Sequence, residues 1–288
     1  MRERLAVFGS PIAHSKSPSL HRTAYELLGL DWEYSSRNVS VTDLATTVAG
    51  LDNGWRGLSL TMPLKQAAFE LADTRDAMAT LTGAVNTLRF VGDDGARTSF
   101  GYNTDVSGIT RALASVGITE APHVHILGGG ATAASAVVAA AELGALSVTV
   151  LARNPAKSLP LIDLGKRAGL AVDIRTFDTL DDVPRPELVV STLPGRTPLP
   201  VNYPTQVLSS SALLDVAYDP WPSELAARWT DAGGVVANGL SMLAHQALIQ
   251  VRIFVSNDPF QPLDREDAVL TAMLASVGLD AHGIPLAA

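Results

Sequence analysis

The chain has 288 residues, 47% apolar and 17% charged, enough to bury a large core and to form one large or two medium domains. Its net charge of -8, with no run of consecutive basic residues, argues against a nucleic-acid partner and for a small molecule. There is no cysteine, which excludes disulfides, thiolate zinc sites and thiol catalysis.

The N-terminal apolar run at 5–8 is far shorter than a signal or membrane-spanning segment, so a cytoplasmic protein with no membrane partner is expected. That run reads as a strand. A helix follows over 18–28, which Ser17 can cap, Pro18 opens in the first turn and Gly29 stops. Strands are predicted at 32–39, 57–60 and 84–91, with helices at 43–48 and 64–72. Such alternation implies an α/β fold with a largely parallel, helix-covered sheet.

A helix over 105–116 marks the passage to a second series. In HVHILGGGATAASAVVAAAELGALSVTVLARN, from His123, an apolar strand, a glycine turn, an Ala-rich helix and a Val-rich strand make one βαβ unit. Strands at 171–175, 188–191, 212–216 and 235–237 and a helix at 223–232 extend it. The final helices, 241–255 and 267–277, have no strand left to cover and are expected to lie back across the junction.

Gly128, Gly130 and Ala133 fit a G-x-G-x-x-A turn between strand and helix, where small residues let the backbone approach a pyrophosphate. A tight turn without a ligand is the alternative, and the βαβ context favours the dinucleotide. An acid at the end of the next strand would accept from the ribose hydroxyl of NAD. Here Ala152, Arg153 and Asn154 stand instead, and a guanidinium suits the 2′-phosphate of NADP. A solvated arginine is the alternative reading of Arg153, and the missing carboxylate favours NADP.

Lys65 follows Pro63 into the first turn of a helix, where the positive end of the helix dipole disfavours an ammonium. Taken alone, it reads as a solvent-facing lysine. Asp105 alone reads as a helix cap, and Asn86 as a turn residue. His123 and His125 share a strand face with no third ligand spaced near them, so they read as satisfied or exposed histidines. Neither H-E-x-x-H nor G-x-S-x-G occurs, which leaves an oxidoreductase as the stronger class.

Together, SPIAHSKSPSLH, SLTMPLK, GAVNT, NTDVSG, LGGGATA, DVAYDPWPS and GLSMLAHQA resemble shikimate dehydrogenases, in order and over nearly the whole chain. The resemblance implies an N-terminal α/β substrate domain over 1–107 and a Rossmann-type NADP-binding domain over 108–240, with a cleft between them. Helices in 241–288 would return to the first domain. It implies reversible reduction of 3-dehydroshikimate to shikimate with NADPH, by a monomer or homodimer. Lys65 and Asp105 match the catalytic pair, and which of them is the formal acid stays open. Ser15 and Ser17 match the pair that holds the substrate carboxylate, while Thr61, Asn86 and Gln246 match residues on the ring hydroxyls and carbonyl. Tyr218 matches a tyrosine near the substrate. Gly128, Gly129, Gly130, Ala131, Arg153, Gly239 and Met242 match cofactor positions.

The chain departs from the family pattern at several points. Ser59 replaces a usual Asn beside Thr61, the glycine turn reads GGGA where GAGG is commoner, and Ala152 removes an adenosine-side amide. STLPGRT, from Ser191, has no residue-by-residue match to the family's Asn-Ala-Thr segment. Two alternatives remain: a quinate or quinate/shikimate dehydrogenase with relaxed substrate or NAD use, and a non-catalytic NADP sensor.

Overall fold

The N-terminal apolar run forms β1 (Glu3–Gly9), where Leu5, Ala6, Val7 and Phe8 are all buried. The computed structural model describes residues 3–92, 97–198 and 200–286. The chain divides into two units. The first holds the chain as far as Asp105 together with Leu243–Ala281 and the chain end from Pro285, and the second holds Val106–Met242 and His282–Ile284. Residues 1–2 and 287–288, the outer ends of the expected first domain, lie outside the described residues.

In the first unit β1 is joined by β2 (Trp32–Asn38), β3 (Trp55–Leu60), β4 (Thr74–Arg75), β5 (Thr87–Val91) and β6 (Thr98–Tyr102), in the order β2-β1-β3-β5-β6-β4. The β1–β2, β1–β3 and β4–β6 pairs are parallel, but β5 is antiparallel to both its neighbours. The sheet is thus largely parallel, as expected, with β5 as the antiparallel exception. Few residues separate β5 from β6, too few for the crossover that parallel neighbours need. The strand predicted over 84–91 begins only at Thr87, and the Val85 N–H donates to the Lys65 carbonyl at the start of a helix and not to a strand.

The core of this unit gathers Phe8, Trp55, Leu58, Leu60, Leu64 and Leu88. Gly57 on β3 lies so close to the helix Gly239–Ser256 that a Cβ would sit 2.6 Å from both the Leu88 carbonyl and the Phe254 ring. A side chain there would push the helix off the sheet. The last helix, Glu266–Ala275, belongs to the same unit, and Ser19 Oγ donates to the Ser276 carbonyl just beyond it at 3.3 Å.

The second unit carries β7 (His123–Leu127), β8 (Ser147–Leu151), β9 (Ala171–Arg175), β10 (Leu188–Ser191), β11 (Ala212–Asp215) and β12 (Val235–Asn238). All its pairings are parallel, in the order β12-β11-β10-β7-β8-β9. This is the doubly wound arrangement whose order reverses between its first and fourth strands, here β7 and β10, and ligands bind outside the strand C-termini at that reversal. His125 is buried on β7, bonded through Nδ1 to the Tyr203 hydroxyl and through Nε2 to the Pro184 carbonyl, and burial pushes it down to about 4. His123 bonds Ser147 Oγ. Both read as satisfied histidines. Among the described residues no helix is long and apolar enough to cross a membrane.

Candidate active site

Lys65 opens the helix Lys65–Leu71 and Asp105 opens the helix Asp105–Ser115. Their side chains meet, Nζ to Oδ2, at 2.5 Å, and are only 11% and 5% exposed. Asp105 is not the cap that local sequence suggests. Asn103 Oδ1 accepts the Asp105 backbone N–H at 2.9 Å, which leaves the carboxylate free for side-chain partners. One of these is Asn86, whose Nδ2 donates to Asp105 Oδ1 at 2.8 Å and to Thr104 Oγ1 at 2.9 Å. The same amide reaches Gln246 Oε1 at 3.3 Å, and Thr104 Oγ1 donates to that oxygen at 3.2 Å. Lys65, Asp105, Asn86 and Gln246 therefore form one hydrogen-bonded group.

Backbone bonds hold the frame. Asn86 N–H donates to the Tyr102 carbonyl, Leu60 N–H donates to the Asn86 carbonyl, and Val85 N–H donates to the Lys65 carbonyl. Thr61 lies at the end of β3, where its N–H donates to Phe8 and its carbonyl accepts from Leu64. Gly9 keeps the turn after β1 close to it, since a Cβ there would lie 2.5 Å from Thr61 Cγ2. Ser10 N–H completes the contact by donating to the Met62 carbonyl.

Ser15 and Ser17 are on this β1 turn. Ser17 does not cap its helix. It is the first residue of Ser17–Leu27, and Lys16 holds the cap position with no side-chain bond. Ser15 Oγ accepts the Ser17 N–H at 3.3 Å. Ser17 is buried and Ser15 half-buried. Sequence reasoning passed over Asn103, Thr104, Thr87 and Gln250. The first two open the quoted NTDVSG, and Gln250 lies one helical turn after Gln246, on the same face.

In the second unit the glycine turn follows β7. Gly128 has φ +102°, a conformation open to glycine, and its N–H donates to the Leu151 carbonyl at 2.9 Å. At Gly129 a Cβ would collide with Ser158 Oγ, and at Gly130 nothing crowds that direction. Gly130 holds the cap position of the helix Ala131–Glu142 with no side-chain bond, and a helix N-terminus opened by a glycine turn suits an anion. Ala152 is buried at the end of β8, and Arg153 beside it is exposed. The residues present fit a phosphate-bearing dinucleotide.

Tyr218 is half-buried on the loop after β11, and Met242 is buried in the first turn of Gly239–Ser256. Gly239 packs so closely that a Cβ would come within 2.5 Å of the Val216 carbonyl, which gives this glycine a structural reason of its own. Asp215, at the end of β11, gathers the Ser223 hydroxyl at 2.5 Å and the Ala217 N–H at 3.2 Å. Burial holds its carboxyl above the usual range. The STLPGRT segment lies against this loop, where a Cβ on Gly195 would collide with the Asp219 carbonyl.

Comparison with known proteins decides the family. Residues 7–88 match the model of the shikimate dehydrogenase substrate binding domain. The shikimate dehydrogenase (NADP(+)) of Methanothermobacter thermautotrophicus is 35% identical over 272 residues, covering 91% of this chain and 94% of its own. The chain belongs to the shikimate dehydrogenase family. The Mycobacterium tuberculosis shikimate dehydrogenase structure matches with a TM-score of 0.79 and 40% identity, covering 95% of this chain and 99% of that one. The Thermus thermophilus shikimate 5-dehydrogenase, solved in complex with NADP(H) and shikimate, matches with a TM-score of 0.77 and 29% identity over 95% and 99% of the two chains. Family membership makes the chain an NADP-dependent oxidoreductase acting on a CH–OH group.

Proposed function

We propose that this shikimate dehydrogenase interconverts 3-dehydroshikimate and shikimate through the Lys65–Asp105 pair, with the first unit as substrate domain and the second as NADP domain. The observation that carries the reading is the buried contact at 2.5 Å between Nζ and Oδ2, steadied by Asn86. NADPH supplies the hydride when bound. The alkoxide that develops on the substrate oxygen needs a proton from a positioned donor, and Lys65 beside a carboxylate provides one.

Asn86, Gln246 and Thr61 are assigned to the ring hydroxyls and carbonyl, and Tyr218 to the substrate by the same family resemblance. Ser15 and Ser17 are assigned to the substrate carboxylate. The Ser15 oxygen accepts within the turn and keeps its own proton to donate. Gly128, Gly129, Gly130 and Ala131 would receive the pyrophosphate, Arg153 the 2′-phosphate, and Gly239 and Met242 would bound the nicotinamide. A cytoplasmic location and a monomeric or homodimeric state belong to the same reading, and the cysteine-free sequence agrees with a reducing compartment.

The test is a spectrophotometric assay of shikimate and quinate against NADP and NAD. Shikimate with NADP should give the highest kcat/KM. Preference for quinate or NAD would move the chain to a relative of the same fold, and NADP binding without turnover would make it a sensor.

A further inference from the structure

Behind the Lys65–Asp105 pair lies a row of buried polar side chains for which the reaction has no evident use. They are His21 and Tyr25 on the helix Ser17–Leu27, Tyr34 on β2, Ser59 on β3, Thr87 on β5 and Gln250 on the helix Gly239–Ser256. Hydrogen bonds join them into one network through Gln250, and the donors can be assigned throughout.

Gln250 is the centre. Its Nε2 donates to the Asn86 carbonyl at 3.1 Å and to Thr87 Oγ1 at 3.0 Å. A carbonyl oxygen can only accept, so the Gln250 amide has one orientation, and its Oε1 faces the other way. There it receives Ser59 Oγ at 2.7 Å and His21 Nε2 at 3.1 Å. His21 must then carry its proton on Nε2 and accept at Nδ1 from the Tyr25 hydroxyl, 3.1 Å away. Burial holds the ring neutral by pushing it down to about 3, and it stacks on Tyr34 at 4.0 Å between centroids. Ser59 has given its proton to Gln250 and accepts from the Tyr34 hydroxyl at 2.7 Å.

On the site side, Thr87 Oγ1 accepts from Gln250 and so gives its own proton to Asn86 Oδ1, at 2.8 Å. The Thr104 N–H donates to the same oxygen at 3.0 Å. With Oδ1 taken by these two donors, Asn86 Nδ2 faces Asp105 Oδ1. The opposite orientation would set an amide oxygen against a carboxylate oxygen. From the tyrosines to Asp105, each donor points the same way.

We infer that Thr87 and Gln250 are positioning residues of the reaction, gripping Asn86 by its side-chain oxygen and its backbone carbonyl so that its amide holds the Asp105 carboxylate toward Lys65. The inference rests on the proposed role of that pair. It also accounts for Ser59, where a shorter side chain than the family's usual Asn leaves room for the Tyr34 and Gln250 contacts to meet on one hydroxyl.

Thr87→Val tests it by removing one hydroxyl and keeping the shape. Misplacement at an acid–base pair costs up to about 100-fold, so kcat for shikimate oxidation should fall about 10- to 100-fold, with the KM for NADP unchanged. Thr87→Ser restores the hydroxyl and should recover kcat to within a few-fold of the parent. Parent-like kcat in Thr87→Val, or equal losses in Thr87→Ser, would overturn the inference. Should Thr87→Val not fold, Gln250→Met cuts the chain one link earlier and should show the same loss of kcat at constant KM for NADP, parent-like kcat again overturning the inference. A second readout stands apart from activity. Proton exchange of the Asn86 side-chain amide, followed by NMR, should quicken at least about tenfold in Thr87→Val, as expected when a buried restraint is lost. Unchanged exchange overturns the inference even if shikimate proves not to be the substrate, whereas faster exchange in a protein inactive on shikimate would retire the functional reading alone.

Discussion

Lys65→Met separates a catalytic ion pair from a structural one. The pair is nearly excluded from water, and taking one partner from a buried, hydrogen-bonded pair costs about 3–5 kcal/mol because it strands the other charge. Asp105 would not be wholly stranded. It keeps the Asn86 amide at 2.8 Å and stands at a helix N-terminus, where a carboxylate gains about 0.3–1 kcal/mol. The expected loss for Lys65→Met is therefore about 2–4 kcal/mol. In Lys65→Met/Asp105→Asn neither charge remains, and the double variant should be more stable than either single one. Turnover should behave differently. Each single variant should lose about 10²- to 10⁴-fold in kcat, and the double should stay inactive while its stability returns. Urea unfolding and kcat, measured on the same preparations, read the two quantities. If activity came back with stability, or if Lys65→Met turned over like the parent, the pair would be a scaffold and the proposed mechanism would be wrong.

Three further outcomes are expected. Ser15→Ala should raise the KM for shikimate about tenfold and leave the KM for NADP unchanged, because hydrogen bonds to a charged group contribute about 1.5–3 kcal/mol; an equal rise for an amide analogue of shikimate would assign the hydroxyl to loop shape. Arg153→Ala should weaken NADP about 10- to 100-fold with little effect on NAD, in titrations at fixed salt; equal weakening of both would remove Arg153 from the 2′-phosphate. Asp76 caps the helix Ala77–Thr82 by accepting from the Ala79 N–H at 2.6 Å, yet burial pushes its carboxyl up to about 6. Between about pH 4 and 6 the folded chain holds a proton that the unfolded chain releases, so this group's contribution to stability declines as pH rises through that window. Asp76→Asn keeps a capping oxygen and should stabilise the protein by about 1–3 kcal/mol at pH 7.5 and by less at pH 4.5; no gain at pH 7.5 in urea unfolding would refute the assignment.

The second unit was legible because most of its strands are short apolar runs closed by a turn, and the glycine motif fixes one of them as the start of a βαβ unit. Its six strands, all parallel, follow from that. The first unit was harder to read. β4 is a pair of residues with no pattern of its own, and β6 is too short for its alternation to show beside GYNTD. Without β6, β5 has no visible antiparallel partner in the strand pattern of the sequence, so the one departure from a largely parallel sheet is not legible there. The Asp-Gly step between β5 and β6 was the signal available, since such a step between two apolar runs marks a hairpin.

At the site, neither local reading holds: Lys65 is nearly buried and Asp105 is not the cap of its helix. A lysine in a first helical turn and an acid at a helix start each have an ordinary explanation within one turn of chain. What sets them apart is that Asn103 already supplies the cap at Asp105, so the carboxylate is left for Lys65, forty positions away in sequence. Gln250 makes the same point more sharply. Its spacing from Gln246 places both on one helix face, but its partners come from His21, Ser59 and Thr87, on another helix and two strands of the sheet. No periodicity within a segment can reveal a bond that only the packing of that helix on that sheet creates. A polar residue at a helix position that packing makes internal is costly unless its hydrogen bonds are met. Gln250 is therefore a residue whose identity the sequence states and whose reason only the fold supplies.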